Sequence, residues 1–257
     1  MAKTKIAWVD WTINPVRTKG GGWGCTKISP GCQHCYSEAI NKRFGDGKPY
    51  DSSPKDFVLD LSCFDKLPKK PKTVFVQSMG DLFHSDLTMG MVQDIFYKIA
   101  KMPQHRFLIL TKRPDNLFGF HDFCKRHDEY EPFGKTVALG VTVESPEYLH
   151  HISTLLKIPA AMYFASFEPL LNDFSPFQWE GYLKYPIVKC LDWVIVGCES
   201  GSKRRKCPIE WIEHIVEQCQ DAGVPVFVKQ IKINGKVSHD MTDWPESLRV
   251  RQMPEWR

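Results

Sequence analysis

Six short apolar runs, separated by segments of helical spacing, constrain this chain more than any other feature. They are Thr73-Val74-Phe75-Val76, Phe107-Leu108-Ile109-Leu110, Val137-Ala138-Leu139-Gly140-Val141, Ala161-Met162-Tyr163-Phe164-Ala165, Trp193-Val194-Ile195-Val196 and Pro225-Val226-Phe227-Val228. Apolar runs this short, bounded by polar or turn residues, suit strands covered on both faces. Trp11-Thr12-Ile13 supplies a candidate seventh strand at the front. Between the runs, Val92, Ile95, Phe96, Ile99 and Ala100 fall on one helical face. Ser145-Pro146 reads as an N-cap followed by proline at the first helical position, with Leu149, Ile152 and Leu156 facing inward. Pro208 opens a further helix carrying Ile209, Ile212, Ile215, Val216 and Cys219, with Gly223 as its C-cap. Strands alternating with helices imply parallel pairing through right-handed crossovers. The expected fold class is therefore α/β, an incomplete β/α (TIM-like) barrel of six to seven parallel strands. A doubly wound open sheet is the main alternative.

The organisation expected is a single domain over residues 1–257, with an irregular tail from about 231. Residues 45–72 read as a long connection, as do residues 170–191, which carry Trp179, Tyr182 and Tyr185. Composition excludes several classes. Hydrophobic residues make up 42% and charged residues 25%, proportions that suit a folded globular chain and not a disordered one. A formal charge of +4 is too mild to argue nucleic-acid or membrane binding by itself. The N-terminus lacks an apolar core of signal-peptide length, and no stretch approaches the ~20 apolar residues of a membrane helix. The expected location is the cytoplasm, without membrane association. In a reducing compartment disulfides are rare, and nine cysteines cannot pair completely within one chain. Metal binding or redox chemistry is the better question for them.

The strongest local signal is Gly24-Cys25-Thr26-Lys27-Ile28-Ser29-Pro30-Gly31-Cys32-Gln33-His34-Cys35-Tyr36, with cysteines spaced C-x6-C-x2-C. The loop is rich in glycine and proline, follows the candidate first strand and precedes a helix starting near Tyr36. Such a backbone can turn several sulfurs toward one point, and thiolates favour zinc and iron–sulfur clusters. A structural zinc site needs four protein ligands, so three cysteines leave a vacancy for His34, His84 or a remote cysteine. A cubane held by Cys25, Cys32 and Cys35 alone would keep one iron open to an exogenous ligand.

A three-cysteine loop after the first strand of a β/α barrel resembles the radical S-adenosylmethionine (SAM) superfamily. That superfamily usually spaces its cysteines C-x3-C-x2-C with an aromatic residue before the third. Here the first gap is six, His34 precedes Cys35, and Tyr36 follows it. The chain is more closely similar to a radical SAM-like family found in phages and bacterial mobile elements. The residues carrying that resemblance are Thr12-Ile13-Asn14-Pro15, Gly24 to Tyr36, Ser78-Met79-Gly80-Asp81-Leu82-Phe83-His84, Leu110-Thr111-Lys112-Arg113-Pro114, Gly197-Cys198-Glu199-Ser200-Gly201 and Val228-Lys229-Gln230. The resemblance implies a [4Fe-4S] cluster on Cys25, Cys32 and Cys35. SAM would bind the open iron and be cleaved to a 5′-deoxyadenosyl radical, with an external electron donor as partner. It also implies that Ser78, Met79, Gly80 and Asp81 hold the ammonium group of SAM. A nucleotide or nucleic-acid base is the expected substrate class.

Active sites of β/α barrels lie at the C-terminal ends of the strands. Polar residues stand there after every apolar run: Gln77, Ser78, Asp81 and His84; Thr111, Lys112 and Arg113; Thr142 and Glu144; Ser166 and Glu168; Cys198, Glu199 and Ser200; Lys229 and Gln230. Thr111, Lys112, Thr142, Glu144, Glu168 and Glu199 are the further candidates for cofactor contact. For Asp81 the competing reading is a turn cap. For Glu168 and Glu199 it is ion pairing with Lys112, Arg113 or Lys229. Cys198 reads as a small core residue, and Cys63, Cys124, Cys190, Cys207 and Cys219 as packing or incidental. Lys203-Arg204-Arg205-Lys206 is either a solvated loop or a phosphate contact. The rival to the enzyme reading is a zinc- or cluster-stabilised nucleic-acid-binding protein without catalysis. A zinc hydrolase or deaminase ranks lower, because the deaminase pairing of His-x-Glu with Cys-x-x-Cys is absent.

Overall fold

In a computed structural model, residues 4, 6–127, 132–175, 187–201 and 203–256 are described. The chain divides into two compact units: Met1–Leu139 with Lys157–Ala161, and Gly140–Leu156 with Met162–Arg257. The strands are β1 (Trp11–Ile13), β2 (Val16–Thr18), β3 (Phe57–Leu59), β4 (Thr73–Val76), β5 (Arg106–Thr111), β6 (Val137–Thr142), β7 (Met162–Phe167), β8 (Trp193–Gly197), β9 (Val226–Ile233) and β10 (Lys236–Ser238). All but β2 and β3 form an eight-stranded sheet in the order β1-β4-β5-β6-β7-β8-β9-β10. The pairings β1 with β4, β4 with β5, β7 with β8 and β8 with β9 are parallel. The fold class is the expected α/β with a mostly parallel sheet. Strand order follows chain order without reversal, so the topology lacks the switch point of a doubly wound fold.

In the first unit the apolar runs became strands because helices cover them. Helices α1 (Tyr36–Phe44), α2 (Ser62–Asp65), α3 (Met89–Ala100) and α4 (Pro114–His127) belong here. Thr88 caps α3 through its side chain, which accepts from the Met91 N–H. Val92, Ile95, Phe96 and Ile99 are buried on the face that the periodicity indicated. Phe96 stacks on Phe120 of α4 at 5.3 Å, and Phe133 meets Phe96 edge-on at 5.2 Å. The expected long connection 45–72 is more structured than its composition suggested, since it contains α2 and β3. The latter pairs antiparallel with β2.

In the second unit, Gly140 of β6 is required by a close approach. A Cβ there would meet the Phe164 ring at 2.3 Å. Helix α5 (His150–Leu155) follows a 3-10 turn over Pro146–Tyr148. This corrects the expected start, because the Ser145 side chain makes no capping bond. Leu149, Ile152 and Leu155 are buried, so Leu155 takes the place expected for Leu156. Helix α6 (Ile209–Ala222) matches expectation, ending at Gly223 in the left-handed region with φ 69°. The stretch from 231 opens with regular structure and continues from 239 in short 3-10 turns. Strand β9 runs on to Ile233 and turns through Asn234 and Gly235, both at positive φ, into antiparallel β10. That is the behaviour of an Asn-Gly hairpin. The chain then returns along β9, with Val228 N–H donating to Val250 O and Gln252 N–H to Val226 O. No helix among the described residues is long and apolar enough to cross a membrane.

Candidate metal and cofactor site

The cysteine loop of the first unit is anchored at both ends. Arg17 lies over the Trp23 ring at 4.1 Å, and the Trp23 N–H donates to Asn41 Oδ1 at 2.8 Å. At the far end Cys35 is the N-cap of α1. Lys27, within the loop, pairs with Glu38 of α1 at 2.8 Å. Glu38 also takes Lys42 at 3.0 Å and the Tyr50 N–H at 3.2 Å. Burial opposes the charge on Glu38, but these three donors outweigh it and hold the carboxyl below its usual range.

Cys25, Cys32 and Cys35 are all free and half-buried. Each sulfur has a polar group beside it. Arg113 Nη1 lies 3.9 Å from Cys25 Sγ, Ser29 Oγ 3.4 Å from Cys32 Sγ, and Ser37 Oγ 3.0 Å from Cys35 Sγ. Burial pushes the Cys25 thiol up to about 12, and the negative charge of Asp81 adds to this against the guanidinium of Arg113. The Cys35 thiol acts on Cys25 in the same sense.

Two strand exits meet this loop. The first follows β4. Gln77, buried at φ 63°, clamps Val16 by accepting from its N–H at 3.0 Å and donating to its carbonyl at 3.2 Å. Asn14 Oδ1 accepts from the Met79 N–H at 2.8 Å and from Ser78 Oγ at 3.3 Å. The hydroxyls of Tyr36 and Tyr50 donate to the carbonyls of Ser78 and Met79, at 2.6 and 2.8 Å. Gly80 lies so close to the loop that a Cβ would meet the Gly24 carbonyl at 2.8 Å. The second exit follows β5. Asp81 Oδ1 accepts from Thr111 Oγ1 at 2.7 Å and from the Phe83 N–H at 3.0 Å. Asp81 Oδ2 accepts from the Lys112 N–H and from Arg113 Nη1, both at 3.0 Å. Arg113 Nη2 reaches the Thr26 carbonyl at 3.0 Å. Burial works against the charge of Arg113, but Asp81 and Cys25 make it hold its proton more firmly than usual.

The structure thus packs Gly80 against the loop of Cys25 and ties Asp81 to it through Arg113, while Ser78 and Met79 are held by Asn14, Tyr36 and Tyr50, and Thr111 and Lys112 bond to Asp81. It also gives Asp81 four donors from its own chain, which makes it a brace as well as the turn cap. His84 is spoken for in the same way. Its Nδ1 accepts from the Asp86 N–H at 3.1 Å, which leaves Nε2–H to donate to Thr26 Oγ1 at 2.8 Å. Burial, then the nearby Arg113, lowers it to about 4. It is therefore not a spare ligand for the cysteines. Sequence reasoning missed Glu38 and Asn41 and used Asn14 only as part of a motif. The Asn-Pro step after β1 was the available signal for Asn14. Beside the loop opens a cleft of about 390 Å³ that includes Trp23, Gly24, Asp46 and Lys55, and none of the three cysteines lines it.

Among the described residues no three His, Cys, Asp or Glu side chains are gathered as for a single ion. A cubane spreads its cysteines over separate irons, so its sulfurs stand farther apart than donors around one zinc. Three free thiols on one loop, each with a polar neighbour, are donors of the kind that such a cluster takes.

The second unit carries its own polar strand ends. Lys229 pairs with Glu168, and Gln230 Nε2 donates to Glu168 Oε1 at 2.9 Å and to the Cys198 carbonyl at 2.6 Å. Glu199 accepts from the Arg205 N–H at 2.8 Å and from its guanidinium. Arg204 donates to the carbonyls of Gly201 and Gly235. Two cations of the basic block are therefore occupied within the chain. Thr142 and Glu144 are buried; their carbonyls accept from His151 Nδ1–H and the Leu171 N–H. Cys198 is buried, as are Cys63, Cys124, Cys207 and Cys219, while Cys190 is exposed. Trp211 is half-buried on α6. Trp179, Tyr182 and Tyr185 lie outside the described residues.

A family model described as "Protein of unknown function (DUF5131)" matches residues 3–247. No curated protein matches the chain. Among solved structures it is similar to a cysteine-to-serine variant of spore photoproduct lyase, with TM-score 0.44, 12% identity and coverage of 76% of this chain and 57% of that one. It is also similar to a double variant of spore photoproduct lyase with bound AdoMet and dinucleoside spore photoproduct. There the TM-score is 0.47 and the identity 11%, over 84% of this chain and 62% of that one. The chain thus spans about three fifths of the length of these solved chains.

Proposed function

The chain belongs to the family described as protein of unknown function DUF5131, and we propose that it is a radical SAM-type enzyme whose [4Fe-4S] cluster is held by Cys25, Cys32 and Cys35. The observation that carries this reading is the loop itself: three free cysteines, each sulfur with its own polar neighbour in Arg113, Ser29 or Ser37. When bound, the cluster and SAM supply one-electron cleavage of the sulfonium. The chain's own residues do the rest. Asp81 fixes Arg113, and Arg113 fixes Thr26 and faces the Cys25 sulfur, where its charge offsets part of the rise that burial and Asp81 impose on the thiol. Asn14, Tyr36 and Tyr50 hold the backbone of Ser78 and Met79 next to the loop. Gly80 admits the close approach on which that placement depends. In this reading the 78–81 stretch receives the ammonium of SAM through its backbone and the Ser78 hydroxyl, while Asp81 braces. Thr111 and Lys112 stand in the same braced turn. Thr142, Glu144, Glu168 and Glu199 remain candidates for ribose or substrate groups, and a nucleotide or nucleic-acid base remains the proposed substrate class.

The test is anaerobic reconstitution with iron and sulfide, metal counting, and electron paramagnetic resonance of the reduced protein with and without SAM. The reading expects about four irons per chain and a signal that changes on adding SAM. One tightly held zinc, no cluster signal and no response to SAM would replace it with the metal-stabilised binding protein.

A further inference from the structure

One corner of the second unit carries more positive charge than the whole chain does. Seven cations lie in residues 203–206 and 229–236, and no Asp or Glu stands between 200 and 209 or between 225 and 239. Arg205 and Lys229 are paired with Glu199 and Glu168. Five cations are left, against a net +4 for the entire chain. Arg204 bonds to two carbonyls, which leave its charge uncancelled. Lys203, Lys206 and Lys236 are exposed and Lys232 is half-buried. Among the described residues none of these four lysines has a carboxylate partner. Other exposed cations of the chain take acids: Lys19 has Asp56, Lys42 has Glu38 and Arg126 has Asp122. Like charges gathered without acids repel one another, and a bound polyanion relieves that repulsion.

The fold brings the two stretches together. Strand β9 pairs with β8 as far as Gln230. Beyond it, Ile231, Lys232 and Ile233 pair with Ser238, Val237 and Lys236 of β10, so a two-stranded ribbon extends past the C-terminal end of β8. Arg204 ties the basic loop to the tip of this ribbon, donating to the Gly235 carbonyl at 2.9 Å. The charges of Arg204 and Lys232 both reach the Cys198 thiol at the end of β8. Residues opposite each other in an antiparallel pair share a face, and successive residues alternate. Lys232 and Lys236 therefore stand on opposite faces of the ribbon.

What surrounds these cations selects the partner. None of the eight exposed large hydrophobic residues among those described lies in the loop or the ribbon. A protein interface needs an apolar centre, and insertion into a lipid surface needs an apolar face. A nucleic-acid backbone needs neither, because its affinity comes from phosphates neutralised one by one. Cations on both faces of a ribbon cannot close on one small phosphate compound, but they can meet two backbones that flank it. The major groove of B-form DNA, roughly 12 Å wide, admits a two-stranded ribbon, whereas that of A-form RNA is deep and narrow. We propose that the β9–β10 ribbon, with Lys232 and Lys236, and the loop of Lys203 and Lys206 form a docking surface for duplex DNA. The surface stands past the C-terminal end of β8, on the side where β/α folds keep their active sites. It would present the substrate as part of a polymer and not as a free nucleotide. That role rests on the enzyme reading above, whereas the surface itself does not.

The experiment is fluorescence anisotropy of the full chain with a labelled DNA duplex of mixed sequence, over a series of salt concentrations. Affinity should fall with salt, with a log–log slope of about −4 for the four lysines. The double variants Lys203→Gln/Lys206→Gln and Lys232→Gln/Lys236→Gln should each weaken binding by about tenfold or more and flatten the slope by about 2. Lys69→Gln/Lys70→Gln removes the same charge from an exposed stretch before β4 and should leave affinity and slope unchanged. Unchanged circular dichroism and thermal midpoint will show that the variants fold. Equal binding by the wild type and the loop and ribbon variants, or no binding at low salt, overturns the proposal. So does lysine-dependent binding of duplex RNA, adenosine triphosphate or phosphatidylserine vesicles as tight as that of the DNA duplex. Iron counts on the same samples separate the two readings. A cluster with DNA binding indifferent to these lysines sinks the docking surface alone. No cluster with lysine-dependent DNA binding sinks the enzyme reading and keeps the surface.

Discussion

Helices α1 and α6 have opposite constructions. Helix α6 buries Ile212, Ile215, Val216 and Cys219 against strands of its own unit. Helix α1 buries a carboxylate, an amide and a hydroxyl, and leaves its apolar side chains outside. The first is held by the removal of apolar surface from water, which is non-directional and tolerant of small shifts. The second is held by hydrogen bonds and ion pairs, which fix angle and register and cost free energy when any member is lost. The cysteine loop depends on the second kind. A helix that builds the fold needs burial, whereas a helix that positions three sulfurs needs directional contacts.

The largest effect should come from breaking the charged side of this contrast. Asp81→Ala leaves Arg113 buried without its carboxylate, and one-sided loss of such a pair costs about 3–5 kcal/mol. Chemical denaturation should show the loss, and iron uptake on reconstitution should fall with it. Wild-type stability in Asp81→Ala would mean that the brace is not structural. On the apolar side, Ile215→Ala should cost about 2–5 kcal/mol through the cavity it leaves. It should leave iron uptake intact once folding is restored at lower temperature. Loss of iron uptake in the folded Ile215→Ala protein would break the division between the two helices.

A pH titration probes the same neighbourhood. His84 is lowered from 6.5 to about 4 by burial and Arg113. Between those values the unfolded chain binds the proton and the folded chain does not. Stability therefore falls as pH drops through this window, by up to about 3 kcal/mol for this group. His105, lowered by burial, acts in the same sense. Thermal midpoints measured from pH 7 to 4 should decline in the wild type and decline less in His84→Gln. Parallel curves would show that His84 does not resist protonation in the fold.

Much of the fold was legible because strands covered on both faces leave continuous apolar runs, and all six runs became strands. The hairpin of β9 and β10 was not. Lys229-Gln230-Ile231-Lys232-Ile233 mixes polar and apolar residues and so breaks the continuous apolar run, although its Asn-Gly turn was available as a signal. At the site, the loop spacing and the start of α1 were readable. The orientation of α1 was not, because a four-residue repeat of Tyr36, Ile40 and Phe44 gives a period and no direction. Only the partners of Glu38 and Asn41, up to 18 residues away, determine which face turns inward. The Asp81–Arg113 pair spans 32 residues and has no local signature.

The smallest expected effect tests that orientation. If the outer stripe of α1 does no work for the fold, Ile40→Ala should change stability by no more than about 0.5 kcal/mol. Alanine keeps the helix propensity, so only contacts of the side chain are removed. Ile40 lies on a helix at the same four-residue spacing that marks buried positions elsewhere, so the sequence alone would assign it a cost near that of Ile215. A loss of about 2 kcal/mol or more in the isolated chain would place Ile40 in the core and withdraw the exposed stripe. A null result beside the large effect of Ile215→Ala would show that burial, and not periodicity, separates the two helices.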